Sequence, residues 1–257
     1  MSKNSTTRFS DRVENYVKYR PSYPPEVVEY LKSHWWMEHS WRIADVGYGT
    51  GLFTKLLLEI GYQVCGVEPN KEMREAGEQY LKGYRNFTSF EGTAENTGLA
   101  DRSVDLIIAA QAFHWFKPEE TKREFRRILN SRSIVCFVWN DRETESSDFL
   151  REYEDLLKKF GTDYLQVNHR HLSGEGNDEI KIFFERDFHQ AKFKNSQNFD
   201  WQGLKGRLLS SSYAPNEGHP RFAEMIDELR NLYERHQRNS QVKIDYTTQV
   251  FSGRLAV

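Results

Sequence analysis

Two acids and three glycines are the residues of this chain best suited, by type and spacing, to hold a small charged ligand. Asp45-Val46-Gly47-Tyr48-Gly49-Thr50-Gly51 sets a glycine at every second position behind an aspartate. Glycines in such a loop let the backbone turn sharply and come close to a ligand. If a helix opens next, its first N–H groups favour a carboxylate or a phosphate. Glu68 closes the following apolar run, and a carboxylate there can accept hydrogen bonds from both hydroxyls of a ribose. The combination describes a nucleoside ligand. A dinucleotide loop asks for a third glycine three residues after the second. Counting from Gly47 and Gly49, that position holds Leu52.

The elements that must carry these residues alternate between strand and helix patterns. Arg42 to Val46 is a short β-rich run. Leu52 to Ile60 places Phe53, Leu56, Leu57 and Ile60 at helical spacing, and Gly61 stops it. Tyr62 to Glu68 alternates and ends at Pro69; Asn70 is a suitable N-cap for a helix running to Leu81. Phe87 to Phe90 reads as a third strand. Val104 to Ala110 is a fourth, apolar on both faces as a central parallel strand requires. Pro118 opens a helix with Glu119 and Glu120 in its first turn and Phe125, Ile128 and Leu129 as its apolar stripe. Ile134 to Trp139 is a fifth strand. Strands separated by helices of this length predict a parallel sheet covered on both faces.

After Asn140 the pattern changes. Residues 141–182 are charged and mostly helical or loop-like, as a cap or insertion would be. Asp187 to Phe193 reads as a strand, and Trp201 to Ser212 and His219 to Arg238 as helices. Val242 to Phe251 alternates as a strand with one solvated face. One domain over 1–257 is expected: an N-terminal segment 1–40, a ligand-binding core 41–140, the cap 141–182, and 183–257 completing the sheet.

With 36 basic against 38 acidic side chains, the net charge of -2 provides no field to attract nucleic acid or an anionic membrane. Lys122, Arg123, Arg126 and Arg127 make a basic helix face, read as solvated surface. The run from Leu106 to Phe113 is too short to span a bilayer. Met1 to Asp11 lacks an apolar signal core, and Cys65 and Cys136 read as reduced and buried, so a cytoplasmic setting is expected. His169, His171 and His189 lack metal-ligand spacing, and no metal is expected. Trp35 and Trp36 read as core or hinge packing.

The glycine spacing, followed by Gly66-Val67-Glu68-Pro69-Asn70 and Gly92-Thr93-Ala94-Glu95, resembles the class I S-adenosylmethionine-dependent methyltransferases. The chain is similar in particular to the small-molecule methyltransferases grouped as type 11. Tyr16, Arg20-Pro21 and Tyr23-Pro24, then Phe113-His114-Trp115, then Ser212-Tyr213-Ala214-Pro215 carry that likeness. It implies a Rossmann-like α/β fold with seven strands, the last one antiparallel, Val242 to Phe251 being the candidate. It also implies S-adenosyl-L-methionine as cofactor. Gly47, Gly49 and Gly51 would line the methionine part. Asp45 would orient the amino group, Glu68 hold the ribose, Met73 or Pro69 pack near the adenine, and Ala94 and Glu95 meet its edge. Gln111 would sit beneath the methionyl group. Tyr16 and Arg20 would close over the cofactor, Arg20 near its carboxylate. The sequence departs from the family at Tyr48, where a small residue is usual, and at Thr93, where an aspartate is common. Tyr48 would narrow the loop, and Thr93 would shift adenine recognition onto Glu95 or the backbone.

The expected activity is transfer of a methyl group to a small molecule, with O- or carboxyl-methylation favoured. The acceptor would meet Tyr19, His114 and Trp115. His114 is the candidate base; a carboxylate acceptor needs none. Plainer readings compete. The glycines could form a bare strand-to-helix turn, Tyr16 and Tyr19 could pack an N-terminal helix on the sheet, and Gln111 and His114 could belong to a polar loop. Two other functions stay open: a methyltransferase-like protein that binds without catalysis, which Tyr48 and Thr93 permit, and a nucleotide-dependent oxidoreductase, which Leu52 and the final strand disfavour.

Overall fold

The computed structural model describes residues 13–164, 178–185 and 187–255. Met1 to Asp11, His169, His171 and part of the 141–182 segment lie outside them. The seven strands are β1 (Arg42–Val46), β2 (Gln63–Val67), β3 (Phe87–Phe90), β4 (Val104–Ala110), β5 (Leu129–Arg142), β6 (His189–Phe199) and β7 (Val242–Gly253). They form one sheet in the order β3-β2-β1-β4-β5-β7-β6. The first five strands pair in parallel. β7 runs antiparallel to both β5 and β6. The α/β architecture with an antiparallel last strand is therefore present as expected.

The helices are α1 (Val13–Tyr19), α2 (Glu26–Trp35), α3 (Leu52–Ile60), α4 (Lys71–Leu81), α5 (Pro118–Ile128), α6 (Asp148–Phe160), α7 (Asp178–Phe183), α8 (Trp201–Leu209) and α9 (Phe222–His236). Side chains alternate across the central strands. From β4, Ile107 and Ala109 join an aromatic layer with Phe125, Phe137 and Phe183. Leu106 and Ile108 face the other way, onto Val27, Leu31, Phe53 and Leu57. Both faces are thus covered, which is why β4 reads as a continuous apolar run. A third apolar cluster joins α6, α8 and α9 to the start of β7.

Four local expectations change. Leu129 is not on the α5 stripe: the helix ends at Ile128, and Leu129 is extended and starts β5. β7 has a half-exposed face only in its first half; Gln249 and Phe251 are buried, because Phe251 packs on Trp139 and Phe188. Trp36 is 78% exposed and caps α2 in the left-handed region, so it is not core. The basic face of α5 is partly covered: Lys122 is buried and reaches Glu185 at 2.6 Å, and Arg127 bridges Glu124 and Asp101. Among the described residues no helix is long and apolar enough to cross a membrane.

Candidate functional site

β1 lies between β2 and β4, so the chain reverses its direction of travel across the sheet at β1. Open α/β sheets bind ligands beyond the carboxyl ends of the strands at such a point. A cavity opens there, lined by Asp45 and Gly47 after β1, Glu68 and Pro69 after β2, and Ala110 and Gln111 at the end of β4.

The glycine loop has the shape its spacing demands: φ is 73° at Gly47, 57° at Gly49 and 84° at Gly51. A Cβ on Gly47 would lie 2.6 Å from that of Ala112, so the loop and the strand-end turn meet with no room for a side chain. Gly51 differs from the expectation. It does not line the cavity; a Cβ there would run into Leu81 at 2.6 Å, and its role is to seat α3 against α4.

Tyr48 does not narrow the loop either. Its ring lies against β2 and α4, edge-on to Phe87, and its hydroxyl donates to the Arg74 carbonyl at 3.1 Å and lies 3.0 Å from Ser89 Oγ. The ring is accommodated because two neighbours are glycines: a Cβ on Gly66 would lie 2.7 Å, and one on Gly77 2.5 Å, from Tyr48 ring carbons.

The two acids are held in place. Glu68 accepts from Gly49 N at 3.0 Å and Asn70 N at 2.9 Å, which ties the loop to the start of α4. Burial raises its pKa to about 6, against the lowering effect of those two N–H groups and of Arg74. Asp45 is buried, and Thr54 Oγ1 donates to one of its oxygens at 2.6 Å. Burial lifts Asp45 to about 7; the Thr54 hydrogen bond works against this and the Glu68 charge adds to it. The other Asp45 oxygen and the Thr54 neighbour Thr50 Oγ1 are buried without a partner among the described residues. An unpaired carboxylate oxygen and a free hydroxyl facing a cavity suit an ammonium and a polar ligand.

The remaining expected residues divide. Tyr16, Arg20, Met73, Thr93, Ala94, Glu95, Gln111, His114 and Trp115 line the same cavity. Tyr19 does not; its ring packs against Gly206 of α8, because Gly206 leaves it room. One Glu95 oxygen already accepts from Lys117 N at 2.8 Å at the start of α5. Gln111 adopts a left-handed φ of 58° and donates from Nε2 to the Asn140 carbonyl at 3.1 Å. His114 is buried in a single 3-10 turn, Phe113–Trp115, its ring centroid 4.7 Å from that of Trp115.

Several residues at or beside the cavity have no signal in the sequence. Asn140 Nδ2 donates to the Ser22 carbonyl at 3.1 Å, and Asn195 Nδ2 to the same oxygen at 2.7 Å. Gln197 Nε2 donates to the Tyr19 carbonyl at 3.3 Å. These amides strap residues 19–22 across the strand ends. Arg207 of α8 also lines the cavity. No local motif marks it, since its burial follows from packing between α8 and β7.

The chain is similar to known methyltransferases. A methyltransferase-domain family model matches residues 44–137. An uncharacterized methyltransferase of Mycobacterium bovis is 35% identical over 60% of this chain and 60% of its own length, so the match spans only part of that relative. An uncharacterized methyltransferase of Oceanobacillus iheyensis is 30% identical over 62% of this chain and 74% of its own length. A solved chain from Anaeromyxobacter dehalogenans, provisionally named a type II methyltransferase, shares the fold with a TM-score of 0.63 at 20% identity, covering 93% of this chain and all of that one. By this likeness the chain belongs to the class I S-adenosylmethionine-dependent methyltransferases.

Proposed function

We propose that this chain transfers the methyl group of S-adenosylmethionine to a small-molecule acceptor, with an oxygen or a carboxyl group as the favoured acceptor. One observation carries the reading. A single cavity holds a nucleoside-type cradle, Glu68 and Asp45 beside the glycine loop, and a second set of aromatic and basic side chains, Tyr16, His114, Trp115 and Tyr213.

When bound, the cofactor supplies a methyl group on a sulfonium, already activated toward displacement. The protein's part is to bind, orient and exclude water. Glu68 is suited to the ribose hydroxyls, since its two oxygens keep lone pairs beyond those used by Gly49 N and Asn70 N. Asp45 suits the amino group, and Arg20 the carboxylate. Pro69 and Met73 offer apolar contact to the adenine, and Thr93, Ala94 and Glu95 offer polar edges. Gln111, fixed by Asn140, supports the methionyl part from below. Trp115 and Phe116 line the cavity, and aromatic rings attract a cation. For a hydroxyl or amine acceptor, His114 takes the proton; for a carboxylate it is dispensable. A cytoplasmic setting belongs to the same proposal and is supported by two free cysteines.

Calorimetry with S-adenosylhomocysteine and, separately, NAD tests the cofactor. Transfer of labelled methyl from the cofactor to acceptors in a metabolite extract tests catalysis. Binding of NAD in place of the homocysteine product would overturn the reading.

A further inference from the structure

Arg207 is a buried cation with neutral partners. It is 6% exposed in the last turn of α8. Its Nε donates to the Tyr246 hydroxyl at 3.2 Å, and Nη1 donates to Ser211 Oγ at 3.1 Å and reaches Ser210 Oγ at 3.5 Å. Among the described residues no carboxylate lies within ion-pair distance of it. Burial of a guanidinium is costly unless an anion accompanies it. The nearby cluster shows the usual solution: Arg142, equally enclosed, pairs with buried Glu154 at 2.5 Å.

A second cation stands beside it. Arg20 Nη2 donates to the Ser210 carbonyl at 2.9 Å, so both guanidinium groups converge on Ser210. Arg20 is held below its ordinary pKa by burial and then by the charge of Arg207. Both side chains line the cavity. Two cations line one cavity, and among the described residues none of its acids, Asp45, Glu68 and Glu95, forms an ion pair with either. A single carboxylate from the cofactor would balance only one of them.

Resting on the proposed methyl transfer, we infer that the acceptor is a small organic anion and that Arg207 binds its carboxylate. The guanidinium supplies a planar fork of donors that a carboxylate matches and a neutral ester does not. The hydroxyls of Tyr246, Ser210 and Ser211 hold the fork from behind. Arg207 thereby sets which molecules are accepted.

The test uses the full chain. Calorimetry first measures S-adenosylhomocysteine, then, at saturating S-adenosylhomocysteine, maleate, succinate, glutarate and benzoate against their methyl esters. At least one acid should bind about tenfold or more tightly than its ester. Arg207→Met should remove that preference while changing S-adenosylhomocysteine affinity less than about threefold, and Arg207→Lys should retain part of it. Arg20→Met should instead weaken S-adenosylhomocysteine. Acids no better than esters, or a preference that survives in Arg207→Met, overturns the assignment. So does a loss of S-adenosylhomocysteine affinity in Arg207→Met equal to that in Arg20→Met. If Arg207→Met melts below assay temperature, Arg207→Lys decides: an acid preference undiminished from the wild type overturns the proposal. Failure of the wild type to bind S-adenosylhomocysteine would overturn the cofactor reading itself, a separate result.

Discussion

The ring of Tyr48 occupies the space that a side chain on Gly77 would need: a Cβ there would lie 2.5 Å from Tyr48 Cε2 and 2.8 Å from the Gly49 carbonyl. A bulky residue inside the glycine loop is thus matched by a missing one on α4. In an ordinary helix interior, Gly→Ala stabilises by roughly 1 kcal/mol. Gly77→Ala should instead destabilise by roughly 1–3 kcal/mol, because both neighbours must shift. The Tyr48→Ala/Gly77→Ala double variant should lose less than the sum of the single variants. Urea unfolding of the four proteins checks this; additive losses would show that the two sites are independent.

Glu68 has a structural and a binding duty. Glu68→Gln keeps its size and should weaken S-adenosylhomocysteine by about tenfold or more, with the far-ultraviolet spectrum unchanged. His114→Ala should leave that affinity intact and lower turnover, for a hydroxyl acceptor, by about a hundredfold or more. Calorimetry and steady-state rates separate the two. Normal binding by Glu68→Gln would mean that the ribose is held elsewhere.

The buried acids give a pH dependence whose sign follows from their shifts. Asp45 rises from 3.8 to about 7 and Glu68 from 4.5 to about 6. Between the ordinary and raised values the folded chain holds more protons than the unfolded one, so these acids lower the stability of the ligand-free protein as pH rises toward 7. Asp45→Asn should therefore gain thermal stability over the wild type at pH 8 and gain less at pH 5. Affinity for S-adenosylhomocysteine should move the other way in the wild type, falling as pH drops below 7, because the amino group pairs with the ionised carboxylate. Melting scans and titrations across that range measure both.

The strap across the strand ends hangs on amides. Asn140→Ala removes a donor to Ser22, the partner of Asn195 and an acceptor for Thr248 Oγ1 at once. It should cost about 1–3 kcal/mol and expose the chain at Lys18 to trypsin. Asn195→Ala, on the open side, should raise cleavage with a smaller loss of stability. Unchanged cleavage in both would show that other contacts hold the segment.

Much of the fold was readable because local pattern and tertiary demand agree. The apolar run at β4, the N-cap at Asn70, whose side chain accepts from Met73 N, and the glycine stop at Gly61 are all local signals. The strand-end cavity was readable for the same reason: Asp45, Gly47, Gly49 and Glu68 sit at strand ends only a few residues from their own elements. Three departures at the site share one cause. Motif position says little about Gly51, Tyr19 and Tyr48, because their surroundings come from distant segments, Leu81, Gly206 and Gly77.

By itself the sequence determined a parallel α/β sheet and a nucleoside-type loop, since the 2.0 and 3.6 residue periods and the glycine spacing are short-range properties. The tertiary structure alone decided that Tyr48 is tolerated, that Asn140 and Asn195 fasten the residue 19–22 strap, and that Arg207 faces the cavity beside Arg20. Those facts depend on which residues from far apart in the chain share one small volume, and no local pattern encodes that.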